Sequence, residues 1–303
     1  STGNEEHSPT KRTTAQIRHL ILDFAEQDER VRAVILTGSR ADLSIPKDEF
    51  QDFDLCFVIN GFSSFIDHRD WIGQFGSRII LQCPADMNLP GYSPEPANRF
   101  SYLMLFRDGI RIDLTLAPAD DFDASHIVGR PFEIWLDKDE RIKEIEPSPS
   151  LRDAVSLPGE KMFRDVCNEF WWVSTNVAKG LARRDIVYAK RQLETILRPM
   201  LMHMIDWQIA AVHGEIVKQK RDGWLKANLT DSDYNKLLRT YAGTGLPANW
   251  DALFQMTSLF SKLSCAVLTA TGFSVSMAEA VAVENYLAHL WQSTDDAAKN
   301  PTS

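Results

Sequence analysis

Residues 37–55 read TGSRADLSIPKDEFQDFDL and form a largely polar segment between two apolar runs of the N-terminal half. Gly38 and Ser39 follow directly on the apolar residues 31–36, while Asp52 and Asp54 open a second apolar run. Short apolar runs of this kind are typical of buried β-strands. The sequence therefore predicts two strands joined by a polar loop, with the glycine-serine pair and the aspartates at the two strand ends.

The two polar features indicate different ligands. A glycine lets backbone N–H groups approach a phosphate closely, and Ser39 adds a hydroxyl beside them. Residues two apart on a strand project to the same face, so Asp52 and Asp54 bring two carboxylates together. A divalent cation with oxygen ligands relieves their repulsion. Together they predict a site for a metal-bound nucleoside triphosphate; the alternative is a solvated acidic loop after an ordinary turn.

The composition is that of a soluble globular protein, with 303 residues of which 44% are hydrophobic and 25% charged. A formal net charge of −9 argues against a nucleic-acid partner and favours a cationic one. No apolar run is long enough to span a bilayer, and the first residues lack the apolar segment of a signal peptide. We expect a cytoplasmic protein without a membrane partner, with a disordered N-terminus over residues 1–12. No C-x-x-C spacing occurs, so reduced thiols are expected at Cys56, Cys83, Cys167 and Cys265.

The pattern over residues 13–150 predicts a sheet with flanking helices. Thr13 and Gln16 have capping-box spacing for a first helix that covers one face of the sheet. Residues 110–116 alternate strictly and place Asp113 on the polar face of a strand, where it is a candidate third carboxylate or a merely solvent-exposed residue. The predicted elements are helices over 13–29 and 65–75, strands over 31–37, 53–59, 79–82, 102–106 and 110–116, and an irregular proline-rich segment over 84–96.

Prolines within residues 146–159 mark a domain boundary, and the pattern beyond it predicts an α-helical bundle over 151–295 with a tail over 296–303. The fold class is thus α+β. The first helix, over 160–183, has an apolar face and a second face of mixed chemistry that suits a ligand or a solvated surface equally. That second face consists of Asn168, Glu169, Trp172, Asn176 and Lys179. Further helices are predicted over 185–213, with an end or kink before Pro199, and over 231–241, 250–271 and 276–291.

Three motifs resemble the signature of the polymerase-β-type nucleotidyltransferase superfamily. They are Gly38-Ser39, Asp52-Phe53-Asp54 after a twelve-residue gap, and Ile112-Asp113-Leu114 on a later strand. The wider match resembles the aminoglycoside 6-adenylyltransferases, the streptomycin-modifying branch, over about residues 13–290. It is carried by residues 37–41 (TGSRA), 46–52 (PKDEFQD), 100–116 (FSYLMLFRDGIRIDLTL) and 167–181 (CNEFWWVSTNVAKGL).

The resemblance implies an N-terminal nucleotidyltransferase domain that faces a helical domain, with the drug bound in the cleft. It implies that ATP, as co-substrate, donates AMP to position 6 of streptomycin and releases pyrophosphate. The implied roles are Mg²⁺ binding by Asp52 and Asp54, a third carboxylate at Asp113, and phosphate binding at Gly38 and Ser39. Residues 217–226 depart from the family pattern, which is richer in Gly and Lys, so no phosphate contact is assigned to the basic residues that remain there, Lys218, Lys220, Arg221 and Lys226.

The chemistry of transfer suggests further roles. Arg40 and Lys179 are predicted to contact the phosphate oxygens of ATP. Asp113 is the first choice for the base that accepts the proton of the drug hydroxyl, and Glu169 is the second. Aromatic and acidic side chains suit a cationic drug. The predicted drug contacts are Glu169, Trp172, Trp171 and Asn176, although Trp171 lies off the polar face and equally suits the core.

Two other classes of protein fit part of the pattern. A nucleotidyltransferase could modify a different acceptor, such as a lincosamide or a protein hydroxyl. A non-catalytic nucleotide-binding regulator is the other alternative, but it has little need for three acids. No sequence feature indicates an oligomer, and a monomer is favoured.

Overall fold

The computed structural model describes residues 9–93, 96–123, 127, 131–142, 154–218 and 223–299. The chain divides into two compact units, Ser1–Arg152 and Asp153–Ser303. The first unit is a mixed sheet with flanking helices, and the second is helical apart from one short strand pair. This architecture confirms the predicted α+β fold class.

Six strands form the sheet of the first unit, in the order β3-β4-β5-β2-β1-β6. They are β1 Val31–Thr37, β2 Phe53–Ile59, β3 Arg78–Gln82, β4 Phe100–Phe106, β5 Arg111–Pro118 and β6 Phe132–Asp137. β2 runs parallel to β5, and the other pairs are antiparallel. The nearly continuous apolar sequence of β2 predicted an interior strand, and β2 is paired on both sides. β6 has no counterpart among the predicted strands and pairs with β1 at the sheet edge.

The first helix of this unit is α1, Thr14–Gln27, and its predicted capping box between Thr13 and Gln16 is present. Ile17 and Ile21 are fully buried in the same apolar cluster as the sheet residues, so α1 covers one face of the sheet as predicted. The single helix predicted over residues 65–75 is wrong. A helix α2, Phe62–Asp67, and a 3₁₀ turn, Asp70–Phe75, take its place because the backbone is extended at His68.

The N-terminal segment is fixed earlier than the predicted end of disorder at residue 12. The guanidinium Nε of Arg12 donates to Asp108 Oδ2 at 2.5 Å, and its Nη1 donates to the Phe75 carbonyl. The same guanidinium lies 4.8 Å from the centre of the Phe106 ring. Arg12 therefore anchors the start of the domain to the β4–β5 hairpin; residues 1–8 lie outside the described residues.

The second unit contains seven α-helices within the described residues: α3 Glu160–Ala182, α4 Ile186–Gln192, α5 Arg198–His213, α6 Gly223–Asn228, α7 Asp231–Arg239, α8 Leu246–Thr271 and α9 Ala278–Lys299. A π-helical turn, Leu193–Leu197, joins α4 to α5 just before Pro199. Proline lacks an N–H donor and crowds the preceding turn, so the widened turn is the predicted disturbance near Arg198. The last helix was predicted to end at residue 291, whereas α9 continues through Lys299.

Large aromatic and aliphatic side chains fill the core of the helical unit. The rings of Phe170 and Phe260 stack with centroids 3.7 Å apart, and Trp171 packs edge-on against both. Among the described residues, α8 is a helix with the length and mean hydropathy of a membrane span. Its side chains at Leu253, Met256 and Phe260 are fully buried, so packing within this unit accounts for the apolar composition of α8.

The four cysteines are free thiols, as the sequence predicted. Burial raises the pKa of Cys56 to about 12 and that of Cys167 to about 12 as well. Both therefore stay protonated at neutral pH. Neither has the depressed pKa of a nucleophilic thiol.

Candidate active site

The turn after β1 brings Gly38 against the carboxylate of Asp54. Gly38 begins a 3₁₀ turn, Gly38–Arg40, with a backbone φ of +72°. A Cβ added to Gly38 would overlap Asp54 Oδ2 and lie 2.8 Å from Asp54 Cγ. Any other residue would therefore be strained in its backbone and would displace the carboxylate. The predicted phosphate turn and the predicted metal pair are thus one packed unit.

The three predicted acids lie at one edge of the sheet. β2 and β5 run parallel with Asp54 as the register partner of Asp113, and on the other side Asp54 pairs with Thr37 of β1. Asp52 immediately precedes β2. The side chains of Asp52 and Asp113 are 28% and 18% exposed, so both carboxylates are accessible from solvent without being fully hydrated. Strand register therefore gathers residues that are about 60 positions apart in the sequence.

Arg111 joins this group, although the sequence analysis assigned it no role. Its Nε donates to Asp113 Oδ1 at 2.8 Å, and its Nη2 donates to Asp113 Oδ2 at 2.7 Å. The same Nε lies 3.6 Å from Asp52 Oδ2. The hydrogen bonds that Arg111 donates to Asp113, together with the charges of Asp113, Asp52 and Asp54, raise the pKa of Arg111. The alternation of β5 was the available signal, since it places Arg111 and Asp113 on one face.

Arg40 fixes the turn to the start of β2. Its Nη2 donates to the Gln51 carbonyl at 2.7 Å and its Nε to the Asp52 carbonyl at 3.0 Å. The guanidinium carbon lies 3.9 Å from the centre of the Phe53 ring, and burial lowers the pKa of Arg40. The geometry therefore shows a structural role for Arg40. Its predicted contact with ATP stays a prediction.

Gln51 is a second residue that the sequence analysis missed. Its side chain is 5% exposed, and its Nε2 donates to the Ser39 carbonyl at 3.1 Å. Its Oε1 is buried without a hydrogen-bond partner among the described residues. Because Arg40 binds the carbonyl of Gln51 while the side chain of Gln51 binds Ser39, the turn is held at two points. Its place beside Asp52 in the quoted motif was the only sequence signal.

The acids have the donor chemistry for Mg²⁺, but they do not form a ready-made coordination sphere. Among the described residues, no group of three or more His, Cys, Asp or Glu side chains is arranged to hold a metal ion. A cation can nevertheless lie close to two of the acids at once, because Arg111 Nε lies within 3.6 Å of both Asp52 and Asp113. All the donors are carboxylate oxygens, which hard divalent cations prefer. The residues therefore fit Mg²⁺ provided that Arg111 shares Asp113 or gives it up.

The predicted second face of α3 is exposed over most of its length. Trp172 is 68% exposed, and Glu169 and Lys179 are exposed with no side-chain hydrogen bond to another described residue. Asn176 is half-buried, and its Nδ2 donates to Gln192 Oε1 at 3.4 Å. Within the described residues, the Trp172 ring and the Glu169 carboxylate are therefore both accessible to a ligand. Drug contact by Glu169, Trp172 and Asn176 stays a prediction.

Trp171 lies elsewhere. Only 4% of it is exposed, and it belongs to the aromatic core of the helical unit. With Asn168 it also lines a cleft of about 220 Å³ between α3 and the start of α9. The core alternative that periodicity left open is the observed position, and drug contact by Trp171 stays a prediction.

The loop in which the sequence departs from the family pattern is only partly described. Lys218 Nζ donates to Asp206 Oδ2 at 2.9 Å, and it lies 5.8 Å from the centre of the Trp224 ring. Lys220 and Arg221 lie outside the described residues. Lys218 is thus engaged in an ion pair within its own unit, which agrees with assigning it no phosphate contact.

Comparisons with known proteins agree on one family. A family model described as streptomycin adenylyltransferase matches residues 11–290. Similar proteins named aminoglycoside 6-adenylyltransferase come from Bacillus subtilis (strain 168), at 40% identity over 84% of this chain and 90% of the relative, and from Campylobacter jejuni, at 36% identity over 84% and 88%. A third from Staphylococcus aureus is 36% identical over 84% of this chain and 92% of the relative.

A crystal structure of an aminoglycoside 6-adenyltransferase from Bacillus subtilis is 33% identical and covers 92% of this chain and 99% of that one, with a TM-score of 0.45. The family match and the identity to the curated relatives make the protein a nucleotidyltransferase. More narrowly, the chain belongs to the streptomycin adenylyltransferase family, which confirms the resemblance found in the sequence.

Proposed function

We propose that this enzyme transfers AMP from ATP to a hydroxyl of an aminoglycoside and thereby confers resistance to the drug. Streptomycin is the proposed acceptor, position 6 the proposed site, and pyrophosphate the second product. The names of the relatives support the drug class. The observation that carries the proposal is the pairing of Asp54 with Asp113 across parallel strands, with Asp54 packed on Gly38. Use of ATP fits the cytoplasmic location expected from the sequence.

Asp52, Asp54 and Asp113 are the residues that would hold Mg²⁺. Bound Mg²⁺ would neutralise the charge that the phosphate oxygens carry during transfer. The chain itself supplies the backbone of the Gly38–Arg40 turn, where N–H groups and the Ser39 hydroxyl can bind phosphate oxygens. Gln51 and Arg40 hold this turn in place, which keeps the phosphate contacts from loosening.

The transfer is a displacement at the α-phosphorus of ATP. The oxygen of the drug hydroxyl forms a bond to the α-phosphorus, and the bond from the α-phosphorus to the bridging oxygen of the β-phosphate breaks with its electrons going to pyrophosphate. The hydroxyl proton passes to a carboxylate, for which Asp113 is the first candidate and Glu169 the second. Lys179 remains the proposed cationic contact for the phosphates.

The drug is a polycation, and the α3 face suits it. Glu169 would form an ion pair with a guanidinium or ammonium of the drug, and the exposed ring of Trp172 would pack against it. Asn176 offers an amide to hydroxyl groups, at the cost of its weak bond to Gln192.

Replacement of Asp54 tests the proposal. Asp54→Asn keeps the shape of the side chain and removes one negative charge, so turnover with ATP, Mg²⁺ and streptomycin should fall by about 10³-fold or more. Asp67→Asn is the matched control, because Asp67 is exposed in the same unit at the end of α2. Near-normal pyrophosphate release by Asp54→Asn would remove this carboxylate from the catalytic site.

A comparison of two alanine variants separates the candidate bases. If Asp113 is the base, Asp113→Ala loses turnover at saturating drug even when Mg²⁺ is saturating, while Glu169→Ala raises the KM for streptomycin and keeps most of kcat. The opposite pattern, with kcat lost in Glu169→Ala, would transfer the base role to Glu169. Steady-state kinetics with both substrates varied gives the result.

A further inference from the structure

Arg111 supplies a protein cation at the place where the acids converge. Its guanidinium takes both oxygens of Asp113, and its Nε also faces Asp52 Oδ2 at 3.6 Å. One guanidinium therefore contacts two of the three acids. Three carboxylates at one sheet edge repel one another, and the charge of Arg111 offsets part of this repulsion.

We propose that Arg111 is an internal counter-cation that competes with the divalent metal for Asp113 and Asp52, and that it exchanges Asp113 for a phosphate oxygen when metal-bound ATP enters. This inference rests on the proposed function. Metal binding at Asp113 would then depend on the nucleotide, because ATP would draw Arg111 away from this carboxylate. The proposal adds no metal ligand. It assigns to Arg111 the position beside Asp113 and Asp52 that a metal ion would take.

Arg111 and a metal ion would compete for the same carboxylate oxygens of Asp113. A magnesium ion binds carboxylate oxygens at about 2.0–2.1 Å, and it needs lone pairs of the oxygens to which Arg111 now donates. Arg111 and a metal ion bound to the same carboxylate would also repel each other, because both are positively charged. Metal binding at Asp113 would therefore weaken or replace the hydrogen bonds that Arg111 donates to it.

The side chain of Arg111 has room to leave. It is 45% exposed, and it is the first residue of β5, next to the hairpin turn. A guanidinium released from a carboxylate can bind a phosphate in the same bidentate manner. The triphosphate would thus remove the competitor from Asp113 and bring the metal in the same step.

The test measures Mn²⁺ binding to the full-length protein without nucleotide, by electron paramagnetic resonance of free Mn²⁺. Arg111→Gln removes the competing cation, and its Mn²⁺ affinity should rise roughly tenfold over wild type. Arg107→Gln is the matched control, because Arg107 is exposed on the same hairpin and its removal changes the net charge equally. The control should change the affinity by less than about twofold.

A second substitution separates charge from hydrogen bonding. Arg111→Lys keeps the positive charge but loses the planar fork, so its Mn²⁺ affinity should stay near that of wild type. In a parallel titration with Mg²⁺ present, Arg111→Gln should weaken ATP binding by about tenfold, since it removes the proposed phosphate contact. Thermal unfolding of each variant checks that the fold is intact.

Equal Mn²⁺ affinities for wild type and Arg111→Gln would overturn the proposal, as would the absence of Mn²⁺ binding to both. Weaker binding by Arg111→Gln would also overturn it and would show that Arg111 orients Asp113 for the metal. These outcomes do not depend on the drug. If no aminoglycoside supports pyrophosphate release, the proposed function fails while the Mn²⁺ measurement still decides the role of Arg111.

Discussion

Replacing Gly38 with alanine perturbs the point at which the turn meets the acids. The added methyl group would overlap Asp54 Oδ2 and lie 2.8 Å from its Cγ, and the residue would keep a backbone φ of +72°. Asp54 is fixed by strand pairing to Asp113 on one side and to Thr37 on the other. The turn, rather than the strand, therefore has to move.

Two contributions set the size of the effect. Forcing a non-glycine residue into the left-handed region costs about 1–2 kcal/mol, and inserting a methyl group into filled space adds about 1–3 kcal/mol. We expect Gly38→Ala to lower the free energy of unfolding by about 2–5 kcal/mol. A displacement of about 1 Å at a catalytic site costs about 10²-fold in rate, so movement of the phosphate-binding turn should lower kcat/KM by at least that factor.

Urea denaturation followed by steady-state kinetics measures both effects. Gly91→Ala is the matched control, because Gly91 has a φ of +74° and a Cβ there would meet no atom within 4 Å. The control should lose only the backbone contribution of about 1–2 kcal/mol and keep its activity. Equal stability losses in the two variants, with near-normal activity in Gly38→Ala, would refute the packing of Asp54 on Gly38.

A double variant isolates the contact itself. Asp54→Ala removes the two atoms that the new methyl group meets first. If the clash is real, Gly38→Ala should cost about 1–2 kcal/mol less in the Asp54→Ala background than in wild type. Additive losses would show that the cost lies in the backbone alone.

Two further predictions concern the drug face and the N-terminal anchor. Trp172→Ala should raise the KM for streptomycin about tenfold with little change in thermal unfolding, whereas Met162→Ala, an exposed apolar control on the same helix, should leave the KM unchanged. Burial raises the pKa of Asp108, but hydrogen bonds from Arg12 outweigh this and leave the pKa below its usual value of 3.8. Because the folded-state pKa is depressed, the stabilisation is present above pH 3.8 and is lost as the pH falls through the folded-state pKa. Asp108→Asn should therefore cost about 1–2 kcal/mol at pH 7 and progressively less as the pH falls below 3.8, as measured by urea denaturation. A pH-independent cost would contradict the ion pair.

Local patterns were sufficient for the interior strands and most helices. The alternation of residues 110–116 and the apolar run of residues 53–59 predicted β5 and β2, because burial of one or both faces leaves a direct signal in the residue types. β6 was missed because its pairing with β1 joins residues about 100 positions apart, which no local pattern reports. The break at His68 was missed because neither glycine nor proline marks it.

The site was predictable in its residue types and unpredictable in its partners. Asp52, Asp54 and Asp113 were selected by spacing and strand position, and strand register brings them to one edge. Arg111 was visible beside Asp113, but its approach to Asp52 depends on the parallel pairing of β2 with β5. The charge of Arg40 suggested phosphate binding, whereas its stacking on Phe53 and its bonds to carbonyls follow from the path of the loop.

Product analysis of the wild-type enzyme shows whether AMP is transferred to an aminoglycoside. The enzyme is incubated with ATP, Mg²⁺ and streptomycin, pyrophosphate is quantified, and the drug is examined by mass spectrometry. We expect pyrophosphate to appear only when streptomycin is present. Its amount should equal that of a drug product whose mass has increased by one AMP group. Pyrophosphate release without the drug, or a drug of unchanged mass, would contradict it.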